Sequence, residues 1–313
     1  MSVISTITVT VPATTANLGP GFDCIGAALS LYNSFRFSRL EPSATEKLKI
    51  TVTGKEAAKV KTDESNLAYV AFVTLYDRLK QSPPPVAIHI DMQVPLARGL
   101  GSSATAIVGG LVGANELAGA PLSQVEVMQL AIELEGHPDN VVPALLGGCR
   151  LAASNTASAS WEICDIPWHP DIVPVVAIPD FELSTAEARQ VLPSEYSRAD
   201  AIFNAAHLGL LVRALETGDR DWLRCALQDK IHQPYRRSLI RGYEAVQEAA
   251  LNAGACGMVI SGAGPTLLAL TDVTNADAVV REMAAAWMGF GVKADVRAIS
   301  LDTQGAQVSN LGL

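Results

Sequence analysis

The sequence predicts a two-domain protein of the α+β class. The chain has 313 residues, 49% of them hydrophobic, which is enough for two domains with substantial cores. Segments in which apolar and polar residues alternate are separated by segments with apolar residues at helical spacing. A stretch rich in Ser, Ala and Thr at 155–160 precedes an irregular stretch at 167–174. We therefore expect domains at residues 1–160 and 161–313.

The composition excludes several classes of function. A net charge of −9 argues against nucleic-acid and anionic-membrane partners, which favour concentrated positive charge. The five cysteines are odd in number and contain no Cys-x-x-Cys pair, so reduced thiols are expected rather than disulfides or structural zinc. No signal-peptide pattern or membrane-length apolar run is recognisable. These features predict a cytoplasmic protein with no nucleic-acid and no membrane partner.

The first strands follow from two-residue periodicity. Apolar residues alternate with threonines over 6–11, which predicts a strand with one buried face, ended by Pro12. Alternation recurs around 35–37 and 48–52, and these two strands are expected to form a hairpin.

The next predicted elements lie on either side of a glycine-rich loop. Asn66 precedes apolar residues at helical spacing over 67–79, a helix that three consecutive prolines stop. A strand is expected at 86–92. Helices are expected at 102–117, where glycines and alanines allow close packing, and from Ser123 to the glutamates near residue 135.

The second half of the chain predicts a smaller α+β unit with an antiparallel sheet. Its strands are expected at 173–178, 257–260, 267–270 and 292–299. Its helices are expected after the capping box at Ser184 and at 198–215, 221–227, 238–253 and 277–288. A polar, cationic turn occupies 229–237.

Three glycine-rich segments, at 12–26, 95–106 and 261–266, are the main candidates for function. In the first, Asn17 and Asp23 are the only strongly polar groups, and backbone capping is the alternative to a binding role.

The central segment combines a strand, a glycine loop and a helix N-terminus. The first amides of such a helix lack internal partners, and Gly99 and Gly101 let the backbone approach an anion closely. The loop is neither a Walker A nor a Gly-x-Gly-x-x-Gly sequence. A phosphate-binding loop and an ordinary glycine-rich connection both remain open on these residues alone.

Glu133 and Glu135 end the helix that begins near Ser123. Carboxylates at a helix C-terminus oppose the helix dipole, so either a solvated face or a cation such as magnesium must compensate them. Asp139 and Asn140 follow in a Pro-containing turn and can point into the same cavity.

The three glycine-rich segments together resemble the motifs of the GHMP kinases. Residues 95–104 match the central motif Pro-x-x-x-Gly-Leu-Gly-Ser-Ser-Ala without a departure. The segments at 12–23, 137–140, 184–189, 232–236 and 261–266 resemble the homoserine kinase subfamily. The resemblance implies a ribosomal protein S5 domain 2-like N-terminal domain and a ferredoxin-like C-terminal domain. It also implies a homodimer and ATP- and Mg²⁺-dependent phosphorylation of the side-chain hydroxyl of L-homoserine, in the route to threonine.

The same resemblance implies the nucleotide and metal sites. Asn66 corresponds to a residue near the adenine. The other implied ATP-binding residues are Pro95, Leu96, Ala97, Arg98, Gly99, Leu100, Gly101, Ser102, Ser103 and Ala104. Ser103 and Glu133 are the implied magnesium ligands, with Glu135 left open as the carboxylate.

The substrate is a zwitterion with a hydroxyl group, and the chain offers a complement to each part. Arg189 and Arg236 are expected to hold the carboxylate with paired donors, and Asp23 the ammonium. The full set of implied substrate-binding residues is Asn17, Asp23, His137, Asn140, Thr185, Arg189, Arg236, Gly262 and Gly264.

Asn140, Ser103 and Glu133 are the expected catalytic residues. Many GHMP kinases place an Asp near the substrate hydroxyl, whereas homoserine kinases resemble each other in presenting Asn there. We expect Asp139 to face elsewhere and the hydroxyl to attack in line without a strong base, since phosphoryl transfer is loose. The alternatives are a GHMP kinase for another small hydroxyl compound and a catalytically silent binding protein of this fold.

Overall fold

The structure, a computed structural model, describes residues 5–41, 43, 45–157 and 160–309 and contains two β-sheets flanked by helices. The first sheet contains β1 (Thr6–Ala16), β2 (Ile25–Arg39), β3 (Leu48–Gly54), β4 (Val86–Met92), β5 (Cys149–Asn155) and β6 (Ser160–Ile166). The second contains β7 (Val173–Pro179), β8 (Gly257–Ile260), β9 (Leu267–Thr271) and β10 (Ala294–Ala298). The chain then returns to the first sheet with β11 (Gln307–Ser309), which pairs with β1.

The first strand continues past Pro12, where the sequence predicted its end. The register of β1 against β2 shifts between Pro12 and Ala13, and pairing then continues to Ala16 opposite Gly26. A bulge of this kind accommodates a residue that has no backbone N–H. The extended strand carries the chain directly into the first glycine-rich loop.

The predicted hairpin between residues 35–37 and 48–52 is wrong. Both strands exist, but β2 pairs antiparallel with β4, and β3 pairs parallel with the other side of β4. Alternation reports which face of a strand is buried, but it does not report the neighbouring strand. β4 therefore lies between the two strands.

Four helices contribute to the core of the first sheet: α1 (Leu67–Arg78), α2 (Ser102–Leu117), α3 (Gln124–Glu135) and α4 (Pro138–Leu146). The first three confirm the predicted helices. The close packing expected of α2 is observed, since a Cβ on Gly109 or Gly113 would lie 2.5 or 2.3 Å from the rings of Phe35 and Phe37. α4 was predicted only as a turn; Pro138 occupies its first position, where a missing N–H costs nothing.

The second half confirms the predicted antiparallel sheet, with the strand order β10-β7-β9-β8. Its helices are α5 (Thr185–Gln190), α6 (Arg198–Thr217), α7 (Arg220–Ala226), α8 (Gln233–Arg236), α9 (Tyr243–Asn252) and α10 (Ala276–Gly289). The helix predicted from residue 238 begins at Tyr243, because a 3-10 turn at Arg237–Leu239 comes first.

An apolar core joins the two sheets. Leu18 and Ile25 from the first half pack in one cluster with Val176 and Leu268 from the second sheet. The opposite face of the second sheet packs in a separate core with residues of α9 and α10. The domain boundary at residue 160 stays a proposal; β6 begins there and pairs with β5. Within the described ranges, no helix has the length and apolar character needed to span a bilayer.

Candidate active site

The three glycine-rich segments meet at the junction of the two sheets. The backbone N–H of Thr14 donates to the carbonyl of Leu100 (3.1 Å), and that of Gly262 donates to Ala16 (3.0 Å). The N–H of Thr266 donates to Arg98 (3.3 Å). Segments that are far apart in the sequence therefore form one bonded assembly.

Gly99 and Gly101 are required by this close approach. Both have left-handed φ angles, +71° and +66°. A Cβ on Gly99 would lie 2.2 Å from the carbonyl oxygen of Ser261, and one on Gly101 would lie 2.0 Å from Thr14 Oγ1. The loop thus fits against both of its neighbours only without side chains at these positions.

Two cavities adjoin the loop and share Ala97, Ser102 and Ser103 in their walls. The polar cavity has a volume of about 320 Å³ and is lined largely by charged and amide side chains. The apolar cavity, about 350 Å³, is lined by residues such as Phe35 and Met92. The N-terminus of α2 lies between them, with its unpaired amides and positive dipole end.

Most of the predicted site residues line the polar cavity. They are Asn17, Asp23, Ala97, Arg98, Gly99, Gly101, Ser102, Ser103, His137, Asn140, Thr185, Arg189, Arg236 and Gly262. Asn66 and Leu96 line the apolar cavity instead, and the Asn66 side chain also caps α1. The predicted residues that line neither cavity are Pro95, Leu100, Ala104, Glu133 and Gly264.

The glutamate in the polar cavity is Glu135. Ser103 Oγ donates to Glu135 Oε2 at 2.9 Å, whereas Glu133 is exposed on α3. Residues two apart on a helix point in nearly opposite directions, so only one of them can face the loop. The prediction that placed Glu133 there is corrected to Glu135.

Glu135 is partly buried, and this position affects its protonation. Burial raises its pKa, although the hydrogen bond from Ser103 and the charge of His137 act in the opposite direction. A carboxylate and a hydroxyl, both oxygen donors, beside a helix N-terminus fit the coordination preferences of Mg²⁺, which binds few protein ligands together with phosphate oxygens.

Arg98 belongs to the glycine loop, but its guanidinium is already occupied. It donates to the carbonyls of Leu96 (2.7 Å), Pro179 (3.0 Å) and Asp180 (3.0 Å). It also lies within ion-pair distance of Glu56 and Glu182. Arg98 therefore fastens the loop to the end of β7.

Asp23 and Arg189 form a bidentate ion pair across the polar cavity. Arg189 donates to the two carboxylate oxygens at 3.1 and 2.8 Å. Both side chains remain about one-third or more exposed, 33% for Asp23 and 40% for Arg189, so the pair can open at a cost of about 1 kcal/mol or less. A positive and a negative group are thus available side by side.

Arg236 is buried, and part of its guanidinium is unused. Its Nε donates to the Ala188 carbonyl (3.0 Å) and its Nη1 to that of Gly262 (3.1 Å). Among the described residues, Nη2 has no hydrogen-bond partner. Burial, together with the charge of Arg189, lowers the pKa of Arg236 to about 10, so the group remains cationic at neutral pH.

His232 supports Arg236 in its neutral form. Its Nε2 lies 2.9 Å from the Gly19 carbonyl, which can only accept, so Nε2 carries the proton. Its Nδ1 is then free to accept from Arg236 Nη1 at 3.4 Å. Burial lowers the pKa of His232, which agrees with this tautomer. The ring also stacks on Phe22, at 5.2 Å between centroids.

The N-terminus of α4 brings His137, Asp139 and Asn140 to the cavity. Asp139 was expected to face elsewhere; this is wrong, because it lies in the first helical turn and its carboxylate bonds His137 Nδ1 at 2.5 Å. Burial would lower the pKa of His137, but the bond to Asp139 and nearby carboxylates outweigh it and raise the pKa. Asn140 Oδ1 accepts a hydrogen bond from Thr14 Oγ1 at 2.7 Å.

The Asn17 amide is used within the protein. Its Nδ2 donates to the Gly262 carbonyl at 2.7 Å, and its Oδ1 accepts from the Asp23 N–H at 3.0 Å. Backbone capping, which was the alternative for the first loop, therefore describes these contacts of Asn17. Asp23 contacts Arg189 instead.

Sequence reasoning missed Phe22 and Thr14. The guanidinium groups of Arg189 and Arg236 lie 5.6 and 5.1 Å from the centroid of the Phe22 ring. Thr14 orients Asn140. A large aromatic residue directly before Asp23, in a loop of small residues, was the available signal for Phe22.

Known proteins resemble this chain over its whole length. The family model for the GHMP kinases N-terminal domain matches residues 66–148, and the GHMP kinases C-terminal model matches 211–288. A homoserine kinase from Microchaete diplosiphon is 69% identical over 312 residues, 100% of both chains. A homoserine kinase structure from Cytophaga hutchinsonii has a TM-score of 0.88 at 28% identity, covering 99% of each chain. The L. major mevalonate kinase structure shares the fold, with a TM-score of 0.69 at 18% identity, covering 95% of each chain.

Proposed function

Because this chain belongs to the homoserine kinases of the GHMP kinase family, we propose that its polar cavity binds L-homoserine beside ATP and phosphorylates the side-chain hydroxyl. One observation carries the proposal. A single cavity holds Ser103 and Glu135 next to the glycine loop, and Asp23, Arg189 and Arg236 across from them. Groups suited to a triphosphate and groups suited to a free amino acid thus lie within one small volume.

The nucleotide half of the proposal uses both cavities. The apolar cavity accepts the adenine, and the amides at the N-terminus of α2 hold the phosphates. Ser103 and Glu135 hold Mg²⁺, which neutralises phosphate charge when it is bound. Ser102 and Ser103 line both cavities, which supports their contact with a nucleotide that reaches from one cavity into the other.

The amino-acid half rests on the ion pair between Asp23 and Arg189. A zwitterion aligned against this pair sets its ammonium at Asp23 and its carboxylate at Arg189, so each charge keeps an opposite neighbour. The unpaired Nη2 of Arg236 adds a second donor for the carboxylate. Both guanidinium groups lie over the ring of Phe22, and this contact with the aromatic face offsets part of the repulsion between their charges.

With the ammonium and the carboxylate of the substrate bound in this way, its side-chain hydroxyl lies near Asn140. The amide of Asn140 is fixed by Thr14 and positions the hydroxyl for in-line attack on the γ-phosphoryl group. We propose that no strong base is needed, since the transition state of phosphoryl transfer is loose and its charge is stabilised by the loop amides. The hydrogen bond between Asp139 and His137 supports a positioning role for Asp139, because it engages one carboxylate oxygen.

Release of ADP tests the proposal. With ATP and Mg²⁺ in excess, the protein is expected to release ADP on addition of L-homoserine and not with mevalonate, shikimate or galactose. Equal turnover of a hydroxyl compound without an amino-acid group would contradict the assignment of Asp23, Arg189 and Arg236. Tight binding of ATP without turnover of any of these compounds would favour the silent binding protein.

A further inference from the structure

We propose that a second cavity, on the far side of the segment that carries Arg236, binds a small organic anion. This basic cavity has a volume of about 680 Å³ and lies among α6, α7, α9 and the start of β8. Its cationic side chains are Arg220, Arg224, Lys230 and Arg237. It shares no lining residue with the polar or the apolar cavity, so the proposed kinase chemistry does not use it.

The basic cavity holds uncompensated positive charge in an acidic protein. Arg220 pairs with Asp272, and Arg224 pairs with Asp221. In the part of the chain that the structure describes, Lys230 and Arg237 have no carboxylate within ion-pair distance. Cations gathered in a concave site raise the local potential, which a bound anion relieves.

The carboxylate in the wall of this cavity, Asp229, offsets only part of that charge, because the two unpaired cations Lys230 and Arg237 both line the cavity. Asp229 is buried, and its oxygens accept a hydrogen bond from Asn204 Nδ2 at 2.8 Å. They also accept the backbone N–H groups of Ile231, His232 and Gln233 at 2.8, 2.9 and 2.7 Å. The Asp229 carboxylate therefore holds the turn after α7, and it forms no ion pair with Lys230 or Arg237 among the described residues.

The remaining walls define the class of ligand. Phe203, Leu227, Leu251 and Met258 contribute apolar surface, and Lys230 Nζ lies 5.6 Å from the centroid of the Phe203 ring. The volume lies within the usual range for pockets that hold small organic ligands and is far larger than one inorganic phosphate requires. The structure therefore favours a ligand with an apolar body and one or more phosphate or carboxylate groups.

The basic cavity and the polar cavity lie on opposite sides of residues 229–237. Lys230, Gln233 and Arg237 line the basic cavity, while Arg236 lines the polar cavity. Gln233 Oε1 also accepts the N–H of Ile260, just before the third glycine-rich segment. A ligand in the basic cavity thus contacts the same short segment that positions Arg236.

Fluorescence titration with 8-anilinonaphthalene-1-sulfonate, an aromatic anion, tests the proposal. The full-length protein is first loaded with a non-hydrolysable ATP analogue, Mg²⁺ and L-homoserine, and unbound ligand is then removed by gel filtration, so that the other two cavities are filled and no free nucleotide competes with the probe. We expect one saturable site whose Kd rises by about tenfold or more in the double variant Lys230→Ala/Arg237→Ala, since charge-assisted hydrogen bonds are lost. The matched control Arg213→Ala/Arg281→Ala, which changes arginines outside the cavity in the same half, keeps the original Kd.

Three results would overturn the site. The first is that the probe shows no saturable binding once the active site is filled. The second is that the double variant binds the probe with the same Kd as the unmodified protein. The third is that the control variant loses as much probe affinity as the double variant. An unchanged kcat for ADP release shows that the double variant is folded, because neither residue touches the active site. Displacement of the probe by AMP or by citrate separates a phosphorylated from a carboxylated ligand. Displacement by neither at millimolar concentration would contradict the anion assignment.

Discussion

Replacing Glu135 by Gln tests the metal site most directly, because Glu133 provides a matched control on the same helix. Glu135→Gln removes one negative charge and keeps an oxygen that can accept from Ser103 at the observed 2.9 Å. Loss of a carboxylate from the metal site is expected to raise the Mg²⁺ concentration for half-maximal activity by about 100-fold. This corresponds to about 2.7 kcal/mol. Glu133→Gln changes an exposed residue and should leave the titration unchanged.

The same pair of variants separates metal binding from folding. Burial raises the pKa of Glu135, so in the folded, metal-free protein its charged form is disfavoured. Glu135→Gln should therefore unfold at the same or a higher temperature than the unmodified protein when Mg²⁺ is absent. The assays are ADP release against Mg²⁺ concentration and thermal unfolding in a chelator. A normal Mg²⁺ titration for Glu135→Gln, or a shifted one for Glu133→Gln, would refute the assignment.

Four further variants test the remaining groups. Asp139→Asn should keep kcat within about tenfold, because general-base catalysis typically contributes 10²–10⁴-fold; a greater loss at unchanged KM would identify Asp139 as the base. Arg236→Lys should raise the KM for homoserine by about tenfold or more, with little change in kcat, since one ammonium cannot replace the bonds to Ala188 and Gly262 and also donate to the carboxylate as Nη2 does. Gly101→Ala should lower the melting temperature, because its Cβ would lie 2.0 Å from Thr14 Oγ1 at a φ of +66°. Burial lowers the pKa of His232 below the ordinary histidine value of 6.5. The free energy of unfolding should therefore fall as the pH drops below 6.5, since the unfolded chain binds the proton first. His232→Gln should show a smaller difference in melting temperature between pH 8 and pH 5.

The sequence by itself determined the local elements and the chemistry of the site. Capping boxes, alternation and glycine placement depend on neighbouring residues, so α3 and β7 were predicted close to their observed bounds and α5 at its observed start. The three glycine-rich segments indicated that the backbone approaches another group closely, because glycine tolerates left-handed φ angles and adds no side chain. The choice of Asp23, Arg189 and Arg236 followed from the resemblance, and the sign of the charge that each side chain can carry is set by the residue type alone.

Only the tertiary structure decided which of two neighbouring residues faces the cavity and which strands are partners. Glu133 and Glu135 have the same chemistry, and the rotation of α3 against the glycine loop selects Glu135. Asp139 enters the cavity because residues 138–146 form a helix, where a turn had been expected. β4 separates β2 from β3 because strand partners depend on contacts distant in the sequence, while alternation encodes only burial.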